Sequence, residues 1–488
     1  MEKYMGNKSK LLDFIFEAIE NEAPYLKEKS IFDAFSGTTN VGKYFKKKGY
    51  DVTVNDINDF SYILGKCYID NKKEPKFKKL INSKSYFSDN YNKIKNTKTF
   101  KYNINKLISE NKNTVSNLYM ESNKKSNYFK ILTYLTYYAT PGDYDNMEDK
   151  KNNRTENFLQ KNYCEFGENS KYINLVYKKT LDNVLKSLTN LNNKKAVSCI
   201  CNFYEYPFDL KFLNKALQYI SKDSLEYKKI VNILNKNNVV GNRKFFSIEH
   251  AKRLDIIINT ILFWKKMDLL EENEFEILLT SVIETITIFS NTSATYQAFY
   301  KDYRSNTLQP FRLVIPEIIK GKGRYNVLQD DICNVIDKVN TEILYLDPPY
   351  NWRQYDSNYH LLNTIAKIHK IDIPDFERNI IGASGENRKE KSEYTSFNKS
   401  ATFEKHLFEI IKKSKSKLIV LSYSDSESNH KIKDANKTIK LISDFMKNNS
   451  IFVPNSFKII KYNRKNFESR KNNKKTEINE LLFVVRKR

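Results

Sequence analysis

Residues 344–362 read LYLDPPYNWRQYDSNYHLL: an apolar run that ends in Asp347, two prolines and Tyr350. The run has the length of a buried strand, and the acid stands where such a strand would leave a parallel sheet. Pro348 and Pro349 cannot continue a strand ladder, and they stiffen the exit. They bring no N–H donors, but their carbonyls still accept. An exocyclic amine on an aromatic ring matches that arrangement. Asp347 and the Pro348 carbonyl would accept its two N–H bonds, and Tyr350 would stack on the ring. Those two bonds draw lone-pair density out of ring conjugation and onto the nitrogen, which can then attack a sulfonium methyl in line. Asp347 is therefore expected as acceptor and orienter, and Tyr350 as the wall of a base pocket.

A second stretch, DAFSGTTNVG (33–42), puts a glycine turn at the end of another apolar run. Such a turn lets the backbone approach a ligand in the crevice where open α/β sheets bind cofactors. Asp56 ends the next run, close to the ~20-residue offset at which an acid meets ribose hydroxyls. A full GxGxxG is absent, so a tight pyrophosphate site is not expected. The pattern points to a nucleoside cofactor without pyrophosphate, such as S-adenosylmethionine; a plain βαβ turn would look the same.

Both stretches need a sheet to carry them. KLLDFIFEAIE (10–20) has helical spacing, SIFDAFSG (30–37) reads as a strand entering a turn, TNVGKYFKKKG (39–49) as a helix closed by Gly49, and YDVTVNDI (50–57) as a second strand. That is one βαβ unit of a parallel sheet. From about residue 80 the chain turns rich in Asn, Lys, Ser and Tyr, with weak periodicity. Helical patterns return at 248–270 and 274–289. Strand and helix alternate again from YNVLQDDI and EILYLDPPY through HLFEIIKKS to SKLIVLSYS, and strands at 456–467 and 478–488 flank a very basic connection. About 300 residues separate Phe35 from Asp347, whereas two or three βα units of ~30 residues would suffice. The surplus is a domain-sized insertion.

Composition narrows the partners. Lys and Arg number 83 against 58 Asp and Glu, a formal net charge of +25, the balance expected of a nucleic-acid binder. The five cysteines (Cys67, Cys164, Cys199, Cys201, Cys333) show no CxxC and no zinc spacing. They read as reduced thiols, with neither disulfides nor a metal site expected. No signal segment or membrane-length apolar run is evident, so a cytoplasmic protein without membrane association is expected. The five histidines lack mutual spacing for a triad or metal site.

The motifs also carry a resemblance. DPPY resembles the catalytic motif of amino-methyltransferases acting on DNA adenine, YMGNKSKLL (4–12) the N-terminal cofactor motif of the DNA adenine methylase family, and DAFSGTTNVG its Phe-x-Gly loop. Their order, with the long insertion before DPPY, is similar to the alpha group of N6-adenine DNA methyltransferases. DPPYNWRQYDSNYHLL, with SNTSATYQAFYKDY (290–303) before it and LSYSDSE (421–427) after it, resembles one bacterial subfamily of that group. The likeness spans residues 1–75 and 246–488.

The resemblance implies an α/β fold: a Rossmann-like class I methyltransferase sheet interrupted by a large, mainly helical inserted target-recognition region. The segments would be 1–79 (first part of the catalytic domain), 80–245 (target recognition), 246–315 (helical) and 316–488 (second part of the catalytic domain). Tyr4, Gly6 and Lys8 would lie by the methionine end of S-adenosylmethionine. Asp33, Phe35, Gly37 and Thr38 would form its loop, Asp56 would hold the ribose, and Asp331 (or Asp330) would meet the adenine. Asp347, Pro348, Pro349 and Tyr350 would carry the target base. Thr39 stands where the family often has a second glycine, so a shifted turn is expected there. The implied activity is site-specific N6 methylation of adenine in double-stranded DNA, as the modification arm of a restriction-modification system with a cognate restriction endonuclease as partner. An RNA amino-methyltransferase, or a non-catalytic nucleic-acid-binding protein on the same fold, would share much of this pattern.

Overall fold

The structure is a computed structural model that describes residues 8–144, 157–165, 167, 171–173, 186–188, 190, 193–196, 216–236, 240–349, 355–382, 384–387, 403–424, 435–465 and 477–488. Tyr4, Gly6, Tyr350, Cys199, Cys201, His430 and most of the basic connection after residue 465 lie outside the described residues.

Seven segments form one sheet: Ser30–Asp33 (β1), Asp51–Asn55 (β2), Tyr325–Leu328 (β3), Ile343–Leu346 (β4), Leu418–Ser424 (β5), Lys458–Lys465 (β6) and Glu477–Arg486 (β7). Their order across the sheet is β6-β7-β5-β4-β1-β2-β3. Neighbours from β5 to β3 run parallel, while β7 runs antiparallel to both β5 and β6. This mixed α/β architecture, with a seven-strand and mostly parallel sheet, is consistent with the methyltransferase fold that the resemblance implied.

The three central strands β1, β4 and β5 are buried at every position because both faces are covered. Successive side chains point to opposite faces. Ile31, Ile343, Tyr345, Leu418 and Val420 thus enter one core, and Phe32, Leu344, Leu346, Ile419 and Leu421 enter the other. Helices Phe403–Lys413 and Ala435–Asn448 supply Leu407, Ile411, Ile442 and Met446 to the second core. Helices Leu12–Glu22 (α1), Asn40–Lys47 (α2) and Asp59–Gly65 (α3) cover the first. α2 lies close on the sheet because Gly42 faces it: an added Cβ would stand 2.8 Å from Val54 Cγ1.

The first core continues outward into a helical layer. Helices Tyr86–Ile94, Lys98–Glu110, Asn117–Asn123 and Asn127–Tyr137 follow the first βαβ unit, and long helices span Ile248–Lys266 and Glu272–Phe289. The weak periodicity of residues 80–130 has a physical origin: their buried faces mix Phe and Tyr (Phe87, Tyr91, Phe100, Tyr128) with aliphatic residues among many polar neighbours. A local signal was present all the same. Ser85, Thr97, Ser116 and Ser126 each accept a hydrogen bond from the backbone N–H three residues on, the ordinary N-cap arrangement. Helices on the two sides of residue 245 share one core, with the Phe87 and Trp264 rings 4.9 Å apart. Arg253 caps the carbonyls of Leu135, Thr136 and Ala139 at the end of helix Asn127–Tyr137. Asn111 holds the strap at Leu313 and Ile315 through both side-chain atoms.

Candidate active site

The chain runs from β1 to β2 and β3 on one side, then returns to β4 on the other side of β1. The carboxyl ends of β1 and β4 therefore flank the point where strand order reverses, the place where open α/β sheets hold ligands. Asp33 ends β1, in register with Tyr345, and Asp347 follows β4. The two acids that the sequence singled out, more than three hundred positions apart, meet at one crevice.

The loop after β1 is a built turn. Ser36 N–H donates to the Asn55 carbonyl (2.9 Å) and Thr39 N–H to the Ser36 carbonyl (2.6 Å). Gly37 takes φ 47°, and Thr39, expected to force a shifted turn, takes the left-handed region itself at φ 57°. A β-branched residue there is strained by about 1–3 kcal/mol, and such strain persists where surrounding contacts impose it. Thr39 is fully buried, and its hydroxyl donates to the Thr38 carbonyl at 2.7 Å. Thr38 is buried, and Phe35 is half-buried against the second core.

Asp56 braces this loop from the end of β2. One carboxylate oxygen accepts from Gly37 N–H (2.8 Å), and the other from the backbone and side-chain N–H of Asn58 (2.9 Å each). Burial pushes its carboxyl up, and these hydrogen bonds oppose that. Asn55, one residue earlier, stitches three strand ends. Its amide donates to the Ala34 carbonyl (3.3 Å) and the Asp330 carbonyl (3.1 Å), and its oxygen accepts from Asp330 N–H (3.3 Å). Asp331 is half-buried and caps helix Ile332–Val335, accepting from Cys333 N–H at 2.9 Å; its exposed neighbour Asp330 accepts from Asn334.

Lys8 stands at the other side of the crevice, just before α1. Its ammonium lies 3.3 Å from Asp347 Oδ1 and 3.3 Å from Glu480 Oε2. Burial would pull that ammonium down, but Asp347, Glu480 and Tyr345 together outweigh burial and hold it above the ordinary lysine value. Glu480 comes from β7 and pairs with Ser424 at the end of β5. Because β7 runs antiparallel, its beginning lies at the edge where the parallel strands end. Asp33 is 2 % exposed, and its Oδ2 has no hydrogen-bond partner among the described residues. Burial and the facing carboxylates of Asp347 and Asp56 push its carboxyl up to about 8. A crevice with four carboxylates and one ammonium is receptive to a cation. Pro348 is buried and Pro349 half-buried.

Sequence reasoning did not single out Asn55, Asn58 or Glu480. Asn55 and Asn58 had a local signal, two amides flanking an acid at a strand end. Glu480 is buried and stands directly before the apolar run 481–485 of β7, the one signal it had. Among the described residues no cluster of His, Cys, Asp and Glu could hold a metal. Cys67 and Cys164 are buried free thiols. His360 is half-buried, its Nε2 donates to the Tyr296 carbonyl (3.0 Å), and desolvation pulls its imidazole down to about 4, so it is neutral. No described helix is long and apolar enough to cross a membrane.

Comparison with known proteins identifies relatives of the chain. The family described as D12 class N6 adenine-specific DNA methyltransferase matches residues 4–219 and 208–373. The chain is 30% identical over 248 residues to modification methylase StsI of Streptococcus sanguinis, covering 51% of this chain and 35% of that protein. It is 32% identical over 247 residues to type II methyltransferase M.FokI of Planomicrobium okeanokoites, covering 50% and 35%. To type II methyltransferase M.NlaIII of Neisseria lactamica it is 37% identical over 126 residues, covering 26% and 38%. The matched segments thus span little more than a third of these relatives' lengths. No solved structure matches the chain.

Proposed function

Because the chain belongs to the D12 class N6 adenine-specific DNA methyltransferases, we propose that it transfers a methyl group from S-adenosylmethionine to the N6 amine of adenine at a specific site in duplex DNA. The observation that carries this reading is the meeting of Asp347 and Asp33 at the reversal point of the sheet, with Lys8 bound to Asp347.

The residues present fit the cofactor. Asp33 offers a buried, unpartnered carboxylate oxygen in an acidic crevice, suited to a ligand that carries an ammonium and a sulfonium. S-adenosylmethionine bound there supplies an electrophilic methyl. Asp33, Phe35, Gly37 and Thr38 would form its loop, Asp56 would meet the ribose with remaining lone pairs, and Asp331 would face the adenine. Tyr4, Gly6 and Lys8 would close the methionine end. For the substrate, duplex DNA must release its adenine from the stack, since the amine is unreachable within a base pair. Asp347 and the Pro348 carbonyl accept the two amine protons' hydrogen bonds, Pro349 stiffens the support, and Tyr350 stacks on the base. The lone pair thereby stays on nitrogen, aimed at the methyl.

Residues 80–245 would read the target sequence, in keeping with their basic and aromatic composition. The printed names of the relatives, a modification methylase and type II methyltransferases, support a protective role beside a cognate restriction endonuclease. Free thiols at Cys67 and Cys164 suit the cytoplasm. The test is expression in a methylation-free host followed by single-molecule sequencing of its DNA, with tritium transfer to RNA measured in parallel. N6-methyladenine at one recurring sequence is expected; label in RNA alone would overturn the reading.

A further inference from the structure

Glu480 is the carboxylate in the crevice that the proposed transfer does not use. It lies in β7, beyond the segment matched by the family, and its side chain is 4% exposed. Burying a charge this deeply is costly without a partner, and Lys8 supplies one. Yet Lys8 also faces Asp347, and both contacts are 3.3 Å. Tight charge-assisted N–H···O bonds are shorter, about 2.7–2.9 Å. Equal and long distances are what one ammonium gives when it is held between two acids. An ammonium committed to Asp347 alone would neutralise the group that must accept from the target amine. No ammonium at all would leave the Asp347 carboxylate facing Asp33 without a neighbouring positive charge from Lys8.

We propose that Glu480 is a positioning residue for methyl transfer: it draws the Lys8 ammonium part-way off Asp347, so that Asp347 is oriented by Lys8 and still keeps its negative charge for the target amine. The inference rests on the methyltransferase reading above. It makes β7, an outer and antiparallel strand, part of the machinery at the β4 end.

The experiment is a double-mutant cycle on the full chain, with single-turnover methyl transfer to duplex DNA and calorimetric S-adenosylmethionine titration. Glu480→Gln keeps the shape and removes the charge. Lys8 then closes on Asp347, and the transfer rate should fall about 10-fold, while cofactor affinity and DNA KM stay within about 2-fold. In a Lys8→Met background the same Glu480→Gln change should cost less than about 2-fold, because the ammonium through which it acts is gone. Equal losses in both backgrounds, or a loss confined to cofactor binding or to thermal stability, would overturn the proposal. Should Glu480→Gln not fold, Glu480→Asp keeps the charge and withdraws it by one methylene; an intermediate rate supports the role, and a wild-type rate overturns it. A wild-type protein that leaves adenine unmethylated would overturn both this role and the reading beneath it.

Discussion

At the scale of single residues, two acids carry opposite duties. Asp347 must stay charged to accept from an amine, and Lys8 beside it favours that. Asp347→Ala removes the acceptor and leaves a buried N–H unpaired, a loss of about 1–3 kcal/mol, with a further loss in the transfer step because the amine stays conjugated. Asp347→Asn keeps one oxygen without the charge and should slow transfer by at least ~10-fold. Both variants should bind S-adenosylmethionine almost normally, which calorimetry beside tritium transfer will report. Asp33 behaves differently. Burial, with Asp347 and Asp56 facing it, raises its carboxyl from 3.8 to about 8. Its contribution to folding stability is therefore full below its unfolded value and is lost as pH rises through about 8. A bound cation favours the ionised form, so below that value binding must release the proton. S-adenosylmethionine affinity should rise with pH, by up to about one log unit per pH unit, and level off above about pH 8. Titrations in buffers of different ionisation enthalpy will detect the released proton, and Asp33→Asn should abolish that release.

At the scale of elements, the crevice depends on how strand ends and the first helix are held. Asn55 ties the ends of β1, β2 and β3 through one buried amide. Asn55→Ala strands two carbonyls and an N–H, costs about 1–3 kcal/mol of stability, and should weaken cofactor binding more than it slows transfer at saturation. Gly42 sets the approach of α2, with Val54 Cγ1 at 2.8 Å and Ile69 Cδ1 at 3.2 Å from an added Cβ. Gly42→Ala should lower stability by about 1–3 kcal/mol, since the strand below cannot retreat without opening the core. Thermal unfolding with and without cofactor separates the two effects. Elements of this catalytic half were legible in the chain because strand and helix periods, glycine stops and prolines are local. The helices of residues 86–137 were not delimited, because their buried faces mix Tyr and Phe with a few aliphatic residues and the Ser and Thr caps pass for loop residues.

At the scale of the molecule, an acidic crevice sits in a chain of net charge +25. The crevice suits a cationic cofactor and the surplus positive charge suits a polyanion. DNA affinity should fall steeply with salt, each phosphate contact adding about −0.9 to the slope of log K against log salt. Replacing Arg464, Lys465, Arg470 and Lys471 with Ala should flatten that slope and leave the methylated sequence unchanged. The first two end β6; the other two lie outside the described residues. An unchanged slope would remove this connection from the DNA-binding surface. The shared core also bears on the target-recognition test. Deleting 80–245 as a block would take Phe87 and Tyr134 from the packing around Trp264, and Tyr128 from Phe77, so that variant should melt well below the wild type. Exchanges that keep residues 80–144 are the ones expected to change the methylated site while cofactor binding survives.

The sequence by itself determined the pieces of the site: an acid that ends a strand, prolines that stiffen its exit, a glycine turn, a second acid one βαβ unit later. Each is decided by residues a few positions apart, where turn chemistry and strand termination act. Only the tertiary structure decided which charges face one another. Lys8 and Glu480 are 472 positions apart, and their pairing exists because β7 enters the sheet antiparallel and delivers its first residues to the edge where β4 ends. The raised Asp33 carboxyl has the same origin. Its burial and its acidic neighbours come from three different strand ends, brought together by sheet order that no local pattern encodes.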